Sequence, residues 1–137
     1  MYVGIDAGTS LVKAAAFDES GTVLAVESAR ARLDLRDDRA EQDPEEIFTA
    51  VRDVAVAVRA DRAAHIAVTG QGDGLWLLDG GGRPIRPAIS WLDGRAADLV
   101  AEWTASGVLE AVFRRTGNNN STTMVPAFGT EIDNVVG

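Results

Sequence analysis

Three short apolar segments at the start of the chain restrict its fold more than any other feature. Each has the length and composition of a β-strand, and they comprise Tyr2 to Asp6, Leu11 to Phe17 and Thr22 to Ser28. The separators, residues 8 to 10 and 18 to 21, are too short to hold a crossover helix. Consecutive strands joined this closely pair antiparallel. The sequence therefore predicts an antiparallel three-strand meander at the beginning of the domain.

A helix is predicted after a charged connection. Residues 29 to 42 lack clear periodicity, so we expect an extended connection there that carries at most one edge strand. The next four residues, Asp43 to Glu46, combine a typical N-cap, a proline at the first helical position and a glutamate three residues after the cap. The following apolar residues repeat with helical spacing, which predicts one face packed against a sheet. They are Ile47, Phe48, Val51, Val54, Ala55 and Val58.

The second half of the chain predicts further strands and two helices. Residues 66 to 70 form a short apolar run typical of a buried strand, and a glycine-rich turn follows at 71 to 74. A hairpin is expected between residues 75 to 79 and 85 to 91, interrupted by Pro84 and Pro87. Helices are expected from Arg95 to about Ser106 and from Val108 to Arg115, with Gly107 between them. Residues 116 to 137 have the pattern of a loop or a poorly anchored tail.

The composition excludes several classes of site and partner. The chain contains no cysteine and one histidine, so a disulfide, a thiolate zinc site and a multi-histidine metal site are impossible, and any metal must be held by oxygen. A net charge of -8 opposes attraction to phosphate backbones, so we expect no nucleic-acid partner. Neither a leader-like start nor a long apolar run is present, which indicates a soluble cytoplasmic protein without a membrane partner.

The strongest local pattern for chemistry is the segment from Gly4 to Ser10. A carboxylate, Asp6, ends an apolar strand, and a small-residue turn then leads directly into the next strand. Such a turn can direct backbone N–H groups and two hydroxyls at a phosphate, while the aspartate holds magnesium through water. Lys13 could supply a point charge to the same phosphate. From spacing alone, an ordinary hairpin turn with a solvated Lys13 explains the pattern equally well.

Two later segments offer groups that suit a ligand rich in hydroxyls. In the turn after Gly70, Gln71 and Asp73 supply an amide and a carboxylate, and Gly72 lets the backbone approach a ligand. Further along, an aromatic face at Trp91 stands beside the carboxylate of Asp93. An exposed turn, a core tryptophan and a helix-capping aspartate are the alternative interpretations of these residues.

Taken together and in this order, the motifs resemble the first part of FGGY carbohydrate kinases over roughly residues 1 to 125. The resemblance is carried by Gly-Ile-Asp-Ala-Gly-Thr-Ser at 4 to 10, Glu-Gln-Asp-Pro at 41 to 44, Val-Thr-Gly-Gln at 68 to 71, Leu-Leu-Asp at 77 to 79 with Gly-Arg-Pro at 82 to 84, and Arg-Pro-Ala-Ile-Ser-Trp-Leu-Asp-Gly-Arg at 86 to 95. Within the family, the erythritol and xylulose kinase branch is the most similar. The implied fold class is α/β, the N-terminal part of a ribonuclease H-like (actin-like ATPase) domain, in which the meander is followed by a helix and further strands.

The resemblance also implies roles for individual residues. Asp6 corresponds to the aspartate linked to magnesium, and Gly8, Thr9, Ser10 and Lys13 correspond to groups around the phosphates of ATP. The turn of Gln71, Gly72 and Asp73 corresponds to the part that binds sugar hydroxyls, and Trp91 and Asp93 to the neighbouring wall. Residues 118 to 123 correspond to a substrate loop. The implied activity is phosphorylation of a sugar or polyol hydroxyl, with ATP and magnesium as cofactors.

The family pattern extends beyond this sequence. The general base, the second phosphate loop and the adenosine-binding segment are expected beyond Gly137, so no catalytic residue is expected in the chain, and the isolated 137 residues should be inactive. The predicted organisation is a partial N-terminal kinase domain at 1–125 and an irregular or disordered tail at 126–137. An exposed sheet or apolar face could support a homo-oligomer. The alternative functions are a catalytically inert fragment that serves as a binding or assembly module, and an ATPase of the same superfamily.

Overall fold

The first three strands form the predicted meander. A computed structural model describes residues 1–117, and in it β1 (Tyr2–Ala7), β2 (Leu11–Phe17) and β3 (Val23–Arg30) follow one another directly. Strand β2 pairs antiparallel with β1 and with β3. The meander prediction is therefore confirmed, because separators of this length leave adjacent strands no other way to pair. The substrate loop expected at 118–123, the domain end at 125 and the tail at 126–137 lie outside the described residues.

The charged connection after the meander contains a hairpin. Strand β4 (Asp34–Arg36) pairs antiparallel with β5 (Arg39–Gln42), where we expected at most one edge strand. The turn between them is made possible by Asp37, which adopts a left-handed backbone conformation with φ 53°. Aspartate tolerates this conformation better than most residues. The sequence predicted at most one strand here because the residues are mostly charged and their hydrophobicity does not alternate.

Helix α1 (Pro44–Ala57) begins where the sequence predicts. The Asp43 carboxylate caps it by accepting the N–H of Glu45 at 2.9 Å. Its buried face packs on one side of the sheet against the strand residues Val3, Ile5, Val12, Ala14 and Ala16. That face consists of Ile47, Ala50, Val54 and Val58, spaced three or four residues apart. The expected burial of Phe48 is wrong: it is 65% exposed, because it lies about 100° around the helix from Ile47.

Strand β6 (His65–Gly70) completes the first sheet. It pairs parallel with β1, which gives the order β3-β2-β1-β6. The strand is confirmed, but its predicted burial is wrong: all six residues are exposed, with Val68 at 65%. Among the described residues, β6 is an edge strand with no element packed over it.

The side of the first sheet opposite α1 is an apolar groove of about 390 Å³. Gly4, Ala15, Phe17, Val26 and Ala67 are among the residues that line it. Exposed apolar surface of this kind is where the sequence predicts self-association. The oligomeric state stays a prediction.

A second, smaller sheet adjoins the first. Strands β7 (Gly74–Leu75) and β8 (Ala88–Ser90) join the β4–β5 hairpin in the order β4-β5-β8-β7, with every neighbouring pair antiparallel. The hairpin expected between 75–79 and 85–91 exists only in part. It is reduced to the short β7–β8 pairing and one bridge between Leu78 and Pro84. Pro84 and Pro87 have no N–H to donate, so a longer ladder cannot form.

Two short helices end the described chain. Helix α2 (Ala97–Ala105) and α3 (Val108–Thr116) are separated by Gly107, as predicted, and this glycine has a left-handed φ of 77°. Helix α2 begins two residues later than expected, and the Asp93 carboxylate accepts the Arg95 N–H in the segment before it. Within residues 1–117, no helix has both the length and the apolarity needed to span a membrane.

Candidate active site

A polar pocket of about 280 Å³ lies where β1 and β6 end. The two strands run parallel, with Asp6 opposite Thr69, so the turns that follow them meet at one edge of the sheet. We call residues 8–10 the first turn and residues 71–73 the second turn. The pocket is lined by Asp6, Gly8, Thr9, Gly70, Gln71, Gly72, Asp73 and Trp91. Seven of these eight are residues for which the sequence analysis proposed a ligand role, all except Gly70.

The first turn is tight enough to require glycine at its beginning. A Cβ atom on Gly8 would lie 2.8 Å from the backbone oxygen of Leu11, closer than real Cβ contacts come. Only glycine therefore lets the chain reverse this sharply between β1 and β2. Gly8 also lines the pocket, where backbone N–H groups of a turn can approach a phosphate.

Direct hydrogen bonds join the first turn, the second turn and the tryptophan. The Trp91 indole donates to the Thr9 hydroxyl at 2.9 Å, and that hydroxyl donates to Gln71 Oε1 at 3.2 Å. Gln71 Nε2 donates to Gln42 Oε1 at 2.7 Å. Gln42 Nε2 in turn donates to the backbone oxygens of Thr9 at 2.9 Å and Arg32 at 3.1 Å. Segments far apart in sequence thus form one rigid wall of the pocket.

Gln42 is a site residue that the sequence analysis did not assign. It is the last residue of β5 and is 2% exposed, with its amide fully hydrogen-bonded by the partners above. Its position inside the Glu-Gln-Asp-Pro motif at 41 to 44 was the available signal. The motif indicated the family resemblance and the start of α1, but it predicted no link from Gln42 to the second turn.

Two carboxylates line the pocket, Asp6 and Asp73, and the resemblance links Asp6 to magnesium. Asp6 is exposed and lines the pocket, and no group of three potential metal ligands exists anywhere in residues 1–117. Magnesium commonly keeps several waters and binds one or two carboxylates together with substrate phosphates. The site therefore matches magnesium carried by a nucleotide rather than an all-protein metal cage.

Two residues predicted around the phosphates do not line the polar pocket. Lys13 lies opposite Asp6 in the β1–β2 ladder and lines the neighbouring apolar groove. Ser10 is exposed, and its backbone oxygen accepts the Ala31 N–H at 3.1 Å. Both are next to the pocket in the fold, but neither forms its wall.

Asp93 is also absent from the pocket lining, and it belongs to a partly buried ion-pair network. The residue is 2% exposed, and its Oδ2 accepts the Ala40 N–H and Arg95 Nη2, both at 2.8 Å. Its Oδ1 accepts Arg95 Nε at 2.8 Å. Arg95 and Arg86 both donate to Glu41 Oε1 at 2.9 Å. The network fastens the segment that carries Trp91 to the β4–β5 hairpin.

The charges in this network are stabilised by one another. Burial by itself would raise the pKa of Asp93, but hydrogen bonds from the Arg95 side chain and from the backbone N–H groups of Ala40 and Arg95 lower that pKa below its ordinary value. The same pairing, led by the hydrogen bonds to Asp93, raises the pKa of Arg95. Asp93 is therefore ionised at neutral pH, with its oxygens occupied by protein donors.

Comparison with known proteins identifies the family of this chain. Residues 1–128 match the model of the N-terminal domain of the FGGY family of carbohydrate kinases. The chain belongs to this family. The expected fold class, an N-terminal portion of the actin-like ATPase fold, is confirmed, since the similar solved structures are FGGY kinases.

Individual relatives support the family assignment over most of the chain. An erythritol kinase from Brucella abortus is 40% identical over 129 residues, which cover 89% of this chain and 25% of that protein. The crystal structure of a xylulose kinase from Rhodospirillum rubrum superposes with a TM-score of 0.77 at 34% identity, covering 86% of this chain and 26% of that one. A Plasmodium falciparum glycerol kinase solved with ADP gives a TM-score of 0.79 at 25% identity, covering 98% and 29%. This FGGY chain thus spans about a quarter of the length of the relatives it matches.

Proposed function

We propose that the protein containing this domain is a cytoplasmic kinase that transfers the γ-phosphoryl group of ATP to a primary hydroxyl of a small polyol or ketose. The observation that carries the proposal is the contact of the first turn with Gln71 and Trp91, through the Thr9 hydroxyl. It brings a glycine-containing turn suited to phosphate next to groups suited to hydroxyls. A phosphoryl transfer needs its donor and acceptor in this proximity.

The nucleotide side of the proposed site is built from the end of β1. Asp6 would hold magnesium through water, and the backbone around Gly8 would direct N–H groups at a phosphate. Magnesium, when bound, neutralises charge on the phosphates. Ser10 and Lys13 lie next to this region, and we assign them contacts to the nucleotide outside the pocket wall. FGGY carbohydrate kinases use ATP, commonly with magnesium, which supports this assignment.

The acceptor side is built from the second turn and Trp91. The Gln71 amide, the Gly72 backbone and the Asp73 carboxylate would bind hydroxyls, and the Trp91 ring, 42% exposed, would pack on the carbon face of the acceptor. Asp93 acts indirectly in this proposal, because its ion pairs hold the segment of Trp91. The relatives named as erythritol, xylulose and glycerol kinases support a small acceptor. The general base is expected outside the 137 residues.

The alternative functions have less support. A catalytically inert binding module gives no reason for a pocket lined by Asp6, Gln71 and Asp73 together, and the relatives are kinases. An ATPase of the same superfamily would share the first turn. It would have no use for the Gln71–Thr9–Trp91 contacts, which serve a second substrate in our proposal.

Replacing Asp73 with asparagine should weaken use of the acceptor. A hydrogen bond to a charged group is worth about 1.5–3 kcal/mol, so kcat/KM for the acceptor should fall about 10- to 100-fold. The measurement is ADP release by the full-length gene product with erythritol, xylulose, glycerol and gluconate in turn. The exposed Asp53 of α1 gives a matched control, and Asp53→Asn should leave kcat/KM unchanged. An Asp73→Asn enzyme with wild-type kcat/KM for every acceptor would remove Asp73 from the site.

A further inference from the structure

The direction of every hydrogen bond across the pocket wall is determined at Gln42. The two partners of Gln42 Nε2, the backbone oxygens of Thr9 and Arg32, can only accept. The amide group of Gln42 must therefore direct its nitrogen towards them and its Oε1 towards Gln71. Because Gln42 is 2% exposed, an amide that turned over would place its Oε1 against these two carbonyl oxygens and would lose both hydrogen bonds.

This orientation is passed on through the second turn to the first. Since Gln42 offers only an oxygen, Gln71 must present Nε2 to it at 2.7 Å, which directs Gln71 Oε1 towards Thr9. An oxygen that can only accept requires the Thr9 hydroxyl to donate its proton. That hydroxyl must then accept from the Trp91 indole, which can only donate. Only one assignment of donors and acceptors satisfies all of these hydrogen bonds.

We propose that Gln42 is a positioning residue that fixes the Gln71 amide and, through it, commits the Thr9 proton to Gln71. The inference rests on the proposed function in one respect, since it assumes that Gln71 contacts the acceptor. It adds a specific consequence for the chemistry of the site. After these bonds are made, Gln71 keeps one N–H and one oxygen lone pair for a ligand, and the Thr9 hydroxyl has no proton to give. The first turn then binds phosphate through its backbone N–H groups, without the Thr9 hydroxyl as a donor.

The indole N–H signals of the 137-residue chain test the network without any assay of activity. The chain has three tryptophans, so a nitrogen–proton correlation spectrum contains three indole signals, and Trp91→Phe identifies the one from Trp91. In Gln42→Leu, the Trp91 signal should move upfield as its hydrogen bond to Thr9 weakens, while the Trp103 signal stays in place. Val54→Ala is the control, because it loosens the buried face of α1 without touching the network.

A second variant covers the case in which Gln42→Leu does not fold. Gln71 is only half-buried, and Gln71→Leu breaks the same chain between Gln42 and Thr9. It should move the Trp91 signal in the same way. A Trp91 signal that shifts no more in the folded Gln42 or Gln71 variant than in Val54→Ala would overturn the proposal.

A kinetic measurement separates positioning from stability. In the full-length gene product, assayed below its unfolding temperature, Gln42→Leu should raise KM for the acceptor about 3- to 10-fold and leave kcat nearly unchanged, the effect of losing one oriented neutral hydrogen bond in binding. A purely structural Gln42 would lower the melting temperature and leave KM as in the wild type. If no acceptor supports turnover, the proposed function fails, whereas the indole signals still decide the role of Gln42.

Discussion

Replacing Asp6 with asparagine should lower kcat of acceptor phosphorylation about 100- to 1,000-fold in the full-length gene product, similar to the loss of one preorganised electrostatic group in other enzymes. Asp6 is the carboxylate at the end of β1 and the group in the pocket that fits magnesium. Phosphoryl transfer depends mainly on positioning and on neutralising charge at the phosphates. An amide keeps the shape of the side chain but not its charge, so the nucleotide should lose alignment while the fold persists.

The controls for Asp6 separate loss of chemistry from loss of structure. Because Asp6 is exposed and packs against no buried cluster, Asp6→Asn should unfold in urea at the wild-type midpoint. Asp53→Asn on the outer face of α1 should retain wild-type kcat. An Asp6→Asn enzyme whose kcat is within about twofold of wild type would contradict the proposed magnesium role. Even a tenfold change in rate corresponds to only about 1.4 kcal/mol of transition-state stabilisation, so a twofold change is too small for a group that aligns the nucleotide.

Removing the Asp93 carboxylate should cause a large loss of stability. Breaking a buried ion pair by removing one partner typically costs about 3–5 kcal/mol, because the other charge remains buried. In Asp93→Ala, Arg95 loses its bidentate partner but keeps Glu41. We therefore expect the free energy of unfolding to fall by about 3 kcal/mol, the lower end of this range. Urea unfolding at neutral pH measures it. Asp34→Ala, which breaks the exposed pair with Arg36, should cost less than about 1 kcal/mol.

The difference in unfolding free energy between Asp93→Ala and wild type should become smaller at acidic pH. The pKa of Asp93 in the folded protein is below its ordinary value of 3.8. The ionised carboxylate therefore stabilises the fold fully above about pH 4, and this contribution disappears as the pH falls through the folded pKa. The gap between the two unfolding midpoints should narrow below about pH 4. A gap that stays constant down to about pH 2 would show that packing, and not the charge, accounts for the loss.

Features set by neighbouring residues were predictable from the sequence. The meander followed from separators too short for a helix, and the start of α1 from Asp43 and Pro44, whose capping contact spans two residues. The juxtaposition of the two turns depends on the parallel pairing of β1 with β6, which no local pattern predicts. Asp6, Thr9, Gln71, Asp73 and Trp91 line one pocket, and their roles in binding stay a prediction.

Features set by distant partners were not predictable in the same way. The Asp93 carboxylate accepts from the Ala40 N–H, 53 residues away, and Gln42 Oε1 accepts from Gln71 Nε2, 29 residues away. No local pattern distinguishes an aspartate that caps a helix from one that anchors Arg95. The predictions of burial were wrong for a related reason, since periodicity indicates which residues share a face but not whether another element covers that face. Phe48 and Val68 are apolar and exposed within residues 1–117 on that account.

The most direct test of the central claim is the identity of the phosphorylated product. The full-length gene product is incubated with ATP, magnesium and each acceptor, ADP is quantified, and the phosphorus NMR spectrum is recorded. We expect at least one acceptor to raise ADP release and to yield a phosphomonoester of a primary hydroxyl in an amount equal to the ADP. ADP accompanied by inorganic phosphate alone, at the same rate with and without every acceptor, would contradict it and would assign the domain to an ATPase.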